Sequence, residues 1–175
     1  MSTPVSMQYI QDVTQSLIYF LNNNDVIRSG ASSYTSDTLK EIHPTLNIEL
    51  GYPDRLNGLA LPTLALVNNS SDPMTQGFGN HVKAFNMSYS IHGFVGREQS
   101  HGGNMLLRDQ LCEEVRSLFE DIDYITLYQY PDFSTNEGDV GITNVVASYI
   151  PPSDTMEAAR YQFIIDLNIE YIKEI

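Results

Sequence analysis

Three histidines, His81, His92 and His101, are the side chains best suited to metal chemistry, and their spacing argues against it. They stand eleven and nine positions apart, so no two fall on adjacent helical turns, and no acidic residue sits at ligand spacing beside them. By alternation His92 belongs to the polar side of a strand, and His101 precedes the pair Gly102-Gly103; solvent or interface positions account for both. Asp132, Glu137 and Asp139 could form a carboxylate cluster for acid–base work or calcium, but they lack the ordered oxygen spacing of an EF-hand and read as a solvated loop. Cys112 follows Leu111 in a helical pattern with no histidine nearby in sequence, which suits a half-buried packing thiol better than a nucleophile. Gly77-Phe78-Gly79 and Gly102-Gly103 are too short to cradle a phosphate. No catalytic residue, metal site or cofactor is therefore expected.

Composition narrows the classes further. The chain carries 9 Lys plus Arg against 22 Asp plus Glu, a formal charge of −13. Such a surface repels a phosphate backbone, so sequence-reading of DNA is not expected, whereas a passage lined with carboxylates would let a polyanion slide without sticking. One cysteine excludes an internal disulfide. Nothing resembles a signal peptide and no apolar run approaches ~20 residues, so a cytosolic or cytosol-assembled protein without a membrane span is expected. The triplets Asn69-Ser70-Ser71 and Asn86-Met87-Ser88 then have no glycosylation role. The 175 residues suit one domain spanning 1–175.

Most segments have a legible period. Tyr161, Phe163, Ile165, Leu167, Ile169 and Tyr171 alternate with Gln162, Ile164, Asp166, Asn168 and Glu170, which writes a strand with one buried side. Eleven residues at roughly 3.3 Å reach about 35 Å, more than a single compact core needs. A second long series runs Phe85, Met87, Tyr89, Ile91 and Val95, interrupted by Gly93, against Asn86, Ser88, Ser90, His92 and Phe94. Leu46, Ile48 and Leu50 predict a short strand closed by Gly51-Tyr52-Pro53-Asp54; Leu61 to Val67, Ile125 to Tyr130 and Val140 to Ile150 predict three more, with Pro62 at a strand start or a sheet edge. Thr3-Pro4 opens a helix whose Ile10, Val13, Leu17 and Phe20/Leu21 share a face and which stops at Asn22-Asn23-Asn24. Asn104 can cap a second helix with Leu107, Leu111, Val115, Leu118, Phe119 and Ile122 on one side. Glu120 and Asp121 oppose its dipole, mildly unfavourably. Asp25 to Pro44 has no clear period and reads as a surface connection. The order helix, three strands, helix, three strands predicts an α+β fold: a single antiparallel or mixed sheet with two main helices on one face.

Leu61-Pro62-Thr63-Leu64-Ala65-Leu66-Val67, the strand ending Tyr89-Ser90-Ile91-His92-Gly93-Phe94-Val95, the helix with Leu107, Leu111 and Val115, and Glu157-Ala158-Ala159-Arg160-Tyr161-Gln162-Phe163 resemble the tail terminator and neck proteins of tailed bacteriophages. The likeness is one of order and pattern over roughly residues 45 to 172. It implies a non-enzymatic virion protein, assembled in the host cytoplasm, that forms a ring, usually of six copies, at the head-proximal end of the tail. Its implied partners are its own copies, the tail tube or sheath protein and the head–tail connector, with DNA passing through the lumen without sequence-specific binding. Another ring component of the particle, such as a head-completion, tube or sheath-terminating protein, stays open. So does a stand-alone ligand-binding or enzymatic domain, which would need a pocket of convergent polar groups. The loops Asn68–Asn80 and Tyr130–Asp139 exceed ordinary hairpin lengths and are expected to make contacts with partners. Phe78, Arg97, Asp132, Phe133, Glu137 and Asp139 are the candidate interface residues.

Overall fold

The computed structural model describes residues 5–29, 34–51, 62–74, 82–96, 103–120, 122–131, 133, 136–150 and 160–174. Along the chain run α1 (Val5–Asn23), β1 (Asp25–Ser29), β2 (Tyr34–Thr38), α2 (Leu39–Ile42), β3 (Asn47–Leu50), β4 (Thr63–Met74), β5 (Val82–Gly96), α3 (Gly103–Glu120), β6 (Tyr124–Tyr128), β7 (Asn136–Ile150) and β8 (Arg160–Glu174). The fold is α+β, as the periods predict. Six strands form one mixed sheet in the order β3-β4-β5-β8-β7-β6, parallel only between β3 and β4, while β1 and β2 form a separate antiparallel hairpin. No helix among the described residues is long and apolar enough to cross a membrane.

The alternation in β5 and β8 becomes one buried face because their register aligns it. Met87 pairs with Ile169, Tyr89 with Leu167, Ile91 with Ile165 and Gly93 with Phe163. All of these but Gly93 are core hydrophobics exposed by 2 % or less. Gly93 is required by its partner: a Cβ there would land on the ring of Phe163, which lies across the strand. Onto this face α3 lays Leu111, Cys112, Val115, Leu118 and Phe119, and α1 lays Val13, Leu17 and Leu21. Each such side chain contributes on the order of 1.5–3 kcal/mol of burial before entropy is charged. Because α1 touches β6 at one margin and β3 and β4 at the other, the sheet curls around it. Hydrogen bonds fix the helix in that trough. The Thr14 and Tyr89 hydroxyls lie 2.7 Å apart, Ser16 Oγ accepts from the Tyr128 N–H at 2.9 Å, and Asp12 Oδ1 accepts from the Tyr130 N–H at 3.1 Å. Burial pushes the Tyr89 phenol up to about 12, with the Thr14 hydrogen bond pulling it back.

Several boundaries differ from the sequence reading. Residues 25–44 are not a plain connection: they hold the β1–β2 hairpin and α2, whose Thr38 and Glu41 form a reciprocal capping box. The hairpin and α2 bury Val26 and Leu39. β4 continues past Val67 through Asn68–Met74, so much of the expected contact arm is strand. The turn-forming residues there tolerate it because β5 is their one described neighbour, and Pro73 occupies such an edge. Pro62 immediately precedes β4, as expected, and its carbonyl accepts from the Asn47 N–H. α3 starts at Gly103, which puts Asn104 inside its first turn instead of at the cap. β7 starts at Asn136, so Glu137 and Asp139 belong to a strand and not to the loop. The second sheet face is wet only in part, since Thr63, Ala65 and Phe94 are buried on it at one end. His92 lies on that face, half-buried, with Nδ1 3.3 Å from Gln162 Nε2. Nearby, Asn69 donates to Ser90, whose hydroxyl donates to Asp166 at 2.7 Å.

A polar tether joins α2 to α3. His43 Nε2 stands 2.6 Å from Glu114 Oε2, the side chains being 8 % and 7 % exposed, and Gln110 Nε2 donates to Glu114 Oε1 at 2.8 Å. Losing one partner strands a buried polar group, so Glu114→Ala is expected to destabilise by about 3–5 kcal/mol and Glu114→Gln, which still reaches His43, by less. Gly93→Ala is expected to cost about 1–3 kcal/mol as the Phe163 ring is forced aside. Urea titration checks both, as a lower midpoint with an unchanged slope; an unshifted midpoint for Gly93→Ala would mean that the ring turns away freely.

Candidate assembly margin

The unusual feature of the sheet is how little of each margin its edge strand covers. On one margin, the five residues of β6 pair with Asn136–Gly141 of β7. Beyond a register shift at Ile142/Asn144, residues Asn144 to Ile150 have β8 on one side and, among the described residues, no strand on the other. In an antiparallel ladder alternate residues point both N–H and C=O away from the partner, so this segment offers a row of backbone donors and acceptors. On the opposite margin β3 pairs with Thr63–Leu66 of β4, and Ser70–Met74 has only β5 as a described neighbour.

The open half of β7 carries exposed apolar side chains on both faces, Tyr149 on the side that α3 covers and Val146 on the other. Val146 and Tyr149 are 45 % and 44 % exposed, and on α3 Met105 and Leu106 are 39 % and 71 % exposed. Tyr149 is held by α3: the Arg108 guanidinium lies 4.7 Å over its ring and 5.7 Å from that of Tyr161. Arg108 is itself buried and donates from Nε to Asp109 Oδ1 at 2.9 Å. Met105 lies three residues before Arg108 and so on the same flank of the helix. Desolvation of the phenol, then the adjacent Cys112, pushes Tyr149 up to about 12; burial, opposed by the hydrogen bond to Tyr149, raises the Cys112 thiol. Cys112 is fully buried, deeper than its sequence position suggests, and is held as the neutral thiol.

The residues expected at an interface do not converge here. Phe78, Arg97 and Asp132 lie outside the described residues. Phe133 is half-buried, in the left-handed region at φ 53°, stacked at 5.0 Å on Tyr19 and edge-on at 5.9 Å to Tyr130. It props the turn after β6 against α1. Asp139 is exposed but stands opposite Thr126, in the half of β7 that β6 covers, and Glu137 belongs to the same half. The signal that finds the open half is a length mismatch: a five-residue strand cannot cover one of fifteen.

Other chemistry is thin. Among the described residues no three His, Cys, Asp or Glu side chains are grouped to hold a metal. A cleft of about 270 Å³ between the ends of α1 and α3 is lined by Phe20, Asn24, Asp25, Val26, Ser117, Leu118 and Ile122, with Asp25 the one ionisable side chain among them. In the native protein Cys112 is expected to react with a chromogenic disulfide reagent on the order of a hundredfold more slowly than in urea, and Tyr149→Ala to narrow that gap. Equal rates for variant and parent would show that Tyr149 does not shield the thiol. No protein-family model and no curated protein sequence matches this chain.

Proposed function

We propose that this chain is a structural subunit of a tailed-phage particle that assembles with its own copies into a ring at the head-proximal end of the tail, ends growth of the tail tube and offers the head connector a docking surface. The observation that carries the reading is the pair of sheet margins that are half-covered among the described residues, one of them carrying the exposed Tyr149 on the side of the sheet that α3 covers. A subunit with two different open margins joins its neighbours head to tail, and such contacts repeat until they close. The net charge of −13 fits a ring through which DNA passes without being gripped. The resemblance in element order to tail terminator and neck proteins supplies the position in the particle. The same margins would serve a head-completion or sheath-terminating ring, which differs only in the layer it occupies.

Particles of the phage that encodes the chain test this directly. Antibody raised against the chain is expected to label the head–tail junction, and a phage lacking it to accumulate unjoined heads and tails of irregular length. Label confined to the capsid shell or the distal tail, or normal joined particles in its absence, would overturn the reading.

A further inference from the structure

We infer that neighbouring copies interlock by strand complementation, β3 of one copy entering the open half of β7 of the next; the inference rests on the ring reading and specifies its contact. The register supplies the argument. Reading across the sheet, Asn47, Thr63, Phe94, Gln162 and Ile150 lie in one row, and Leu50, Leu66, Ile91, Ile165 and Ala147 in another. The four residues of β3 thus occupy, at one margin, the rows that Ala147–Ile150 leaves open at the other. The converse also holds: Tyr124 of β6 shares a row with Gly141, Glu170, Asn86 and Asp72, inside the stretch of β4 that β3 leaves uncovered. Two copies set side by side in the same orientation would therefore share one column, with β6 of the first and β3 of the second end to end between β7 and the neighbour's β4.

Strand direction and side-chain faces agree with this arrangement. β3, β4, β6 and β8 run one way and β5 and β7 the other, so β3 meets β7 antiparallel and β6 meets the neighbour's β4 parallel, both ordinary pairings. The rows set Ile150 opposite Asn47, Tyr149 opposite Ile48, Ser148 opposite Glu49 and Ala147 opposite Leu50. Ile48 and Leu50 share rows with the core residues Leu64 and Leu66, and Tyr149 and Ala147 with Phe163 and Ile165, so all four point to the same side of the sheet. Leu50, 56 % exposed, and Tyr149, 44 % exposed, would be covered by the same contact. On the other side polar Ser148 and Glu49 stay together in water.

Cross-linking tests the pairing in a Cys112→Ala background. Leu50→Cys chains mixed with Ala147→Cys chains and mildly oxidised are expected to form the mixed dimer, at about tenfold the yield given by Leu50→Cys with Asn144→Cys, which is three rows out of reach. The doubly substituted Leu50→Cys/Ala147→Cys chain is expected to give a ladder of covalent oligomers. Ala147→Cys dimers formed with themselves would indicate a two-fold β7–β7 contact and overturn the inference, as would a double variant that cross-links only within one chain. The native mass and negative-stain images of the unsubstituted protein separate the two levels. Rings without the 50–147 cross-link sink the interlock and leave the ring reading standing, whereas no ring on the purified tail tube and no cross-link sinks both.

Discussion

The ladder between β5 and β8 is the constraint on which the rest of the molecule depends. Fifteen consecutive pairs, Val82 with Glu174 through Gly96 with Arg160, set the rows of the whole sheet, and every other strand takes its height from them. A slip of one residue between them would put Tyr89 and Ile91 on the face opposite Phe163 and Ile165, so burial of all four on one face holds the register. Gly93 beneath Phe163 adds a lock that admits the aromatic ring at one position only.

The helices are fastened to this frame by different physics. α1 sits in the trough of the curl and is held at three heights by hydroxyl and carboxylate contacts to β5, β6 and the turn beyond it. α3 is held by apolar burial along its length, by the Arg108 contacts with Tyr149 and Tyr161 near its start, and by the His43 contact to Glu114 midway. Since the same Arg108 that secures α3 also sets the ring of Tyr149, the core and the open margin are mechanically one unit.

Much of this was legible in residue order and some was not. β5, β8 and both main helices announce themselves, because each repeats an apolar position often enough to define a face. β1, β2 and α2 do not, since five- and four-residue elements rich in Ser, Thr and Asp gain order from pairing and from the burial of Val26 and Leu39, neither of which a local period records. The polar half of β4 looks like a loop because Asn, Ser and Pro are turn formers, and only a partner strand reveals otherwise. The length of β5 and β8 points to unfinished edges, but the location of the open half is a matter of register between strands far apart in sequence. The stacking of Phe133 on Tyr19, more than a hundred residues earlier, is likewise a contact that no local period records.

The strand order also sets a timetable. β8 follows β6 and β7 in the chain yet lies between β5 and β7, so β3-β4-β5 and β6-β7 cannot join into one sheet until β8 is available to stitch them. Until then β5 and β7 each lack, on one side, the fifteen-residue neighbour that completes the sheet.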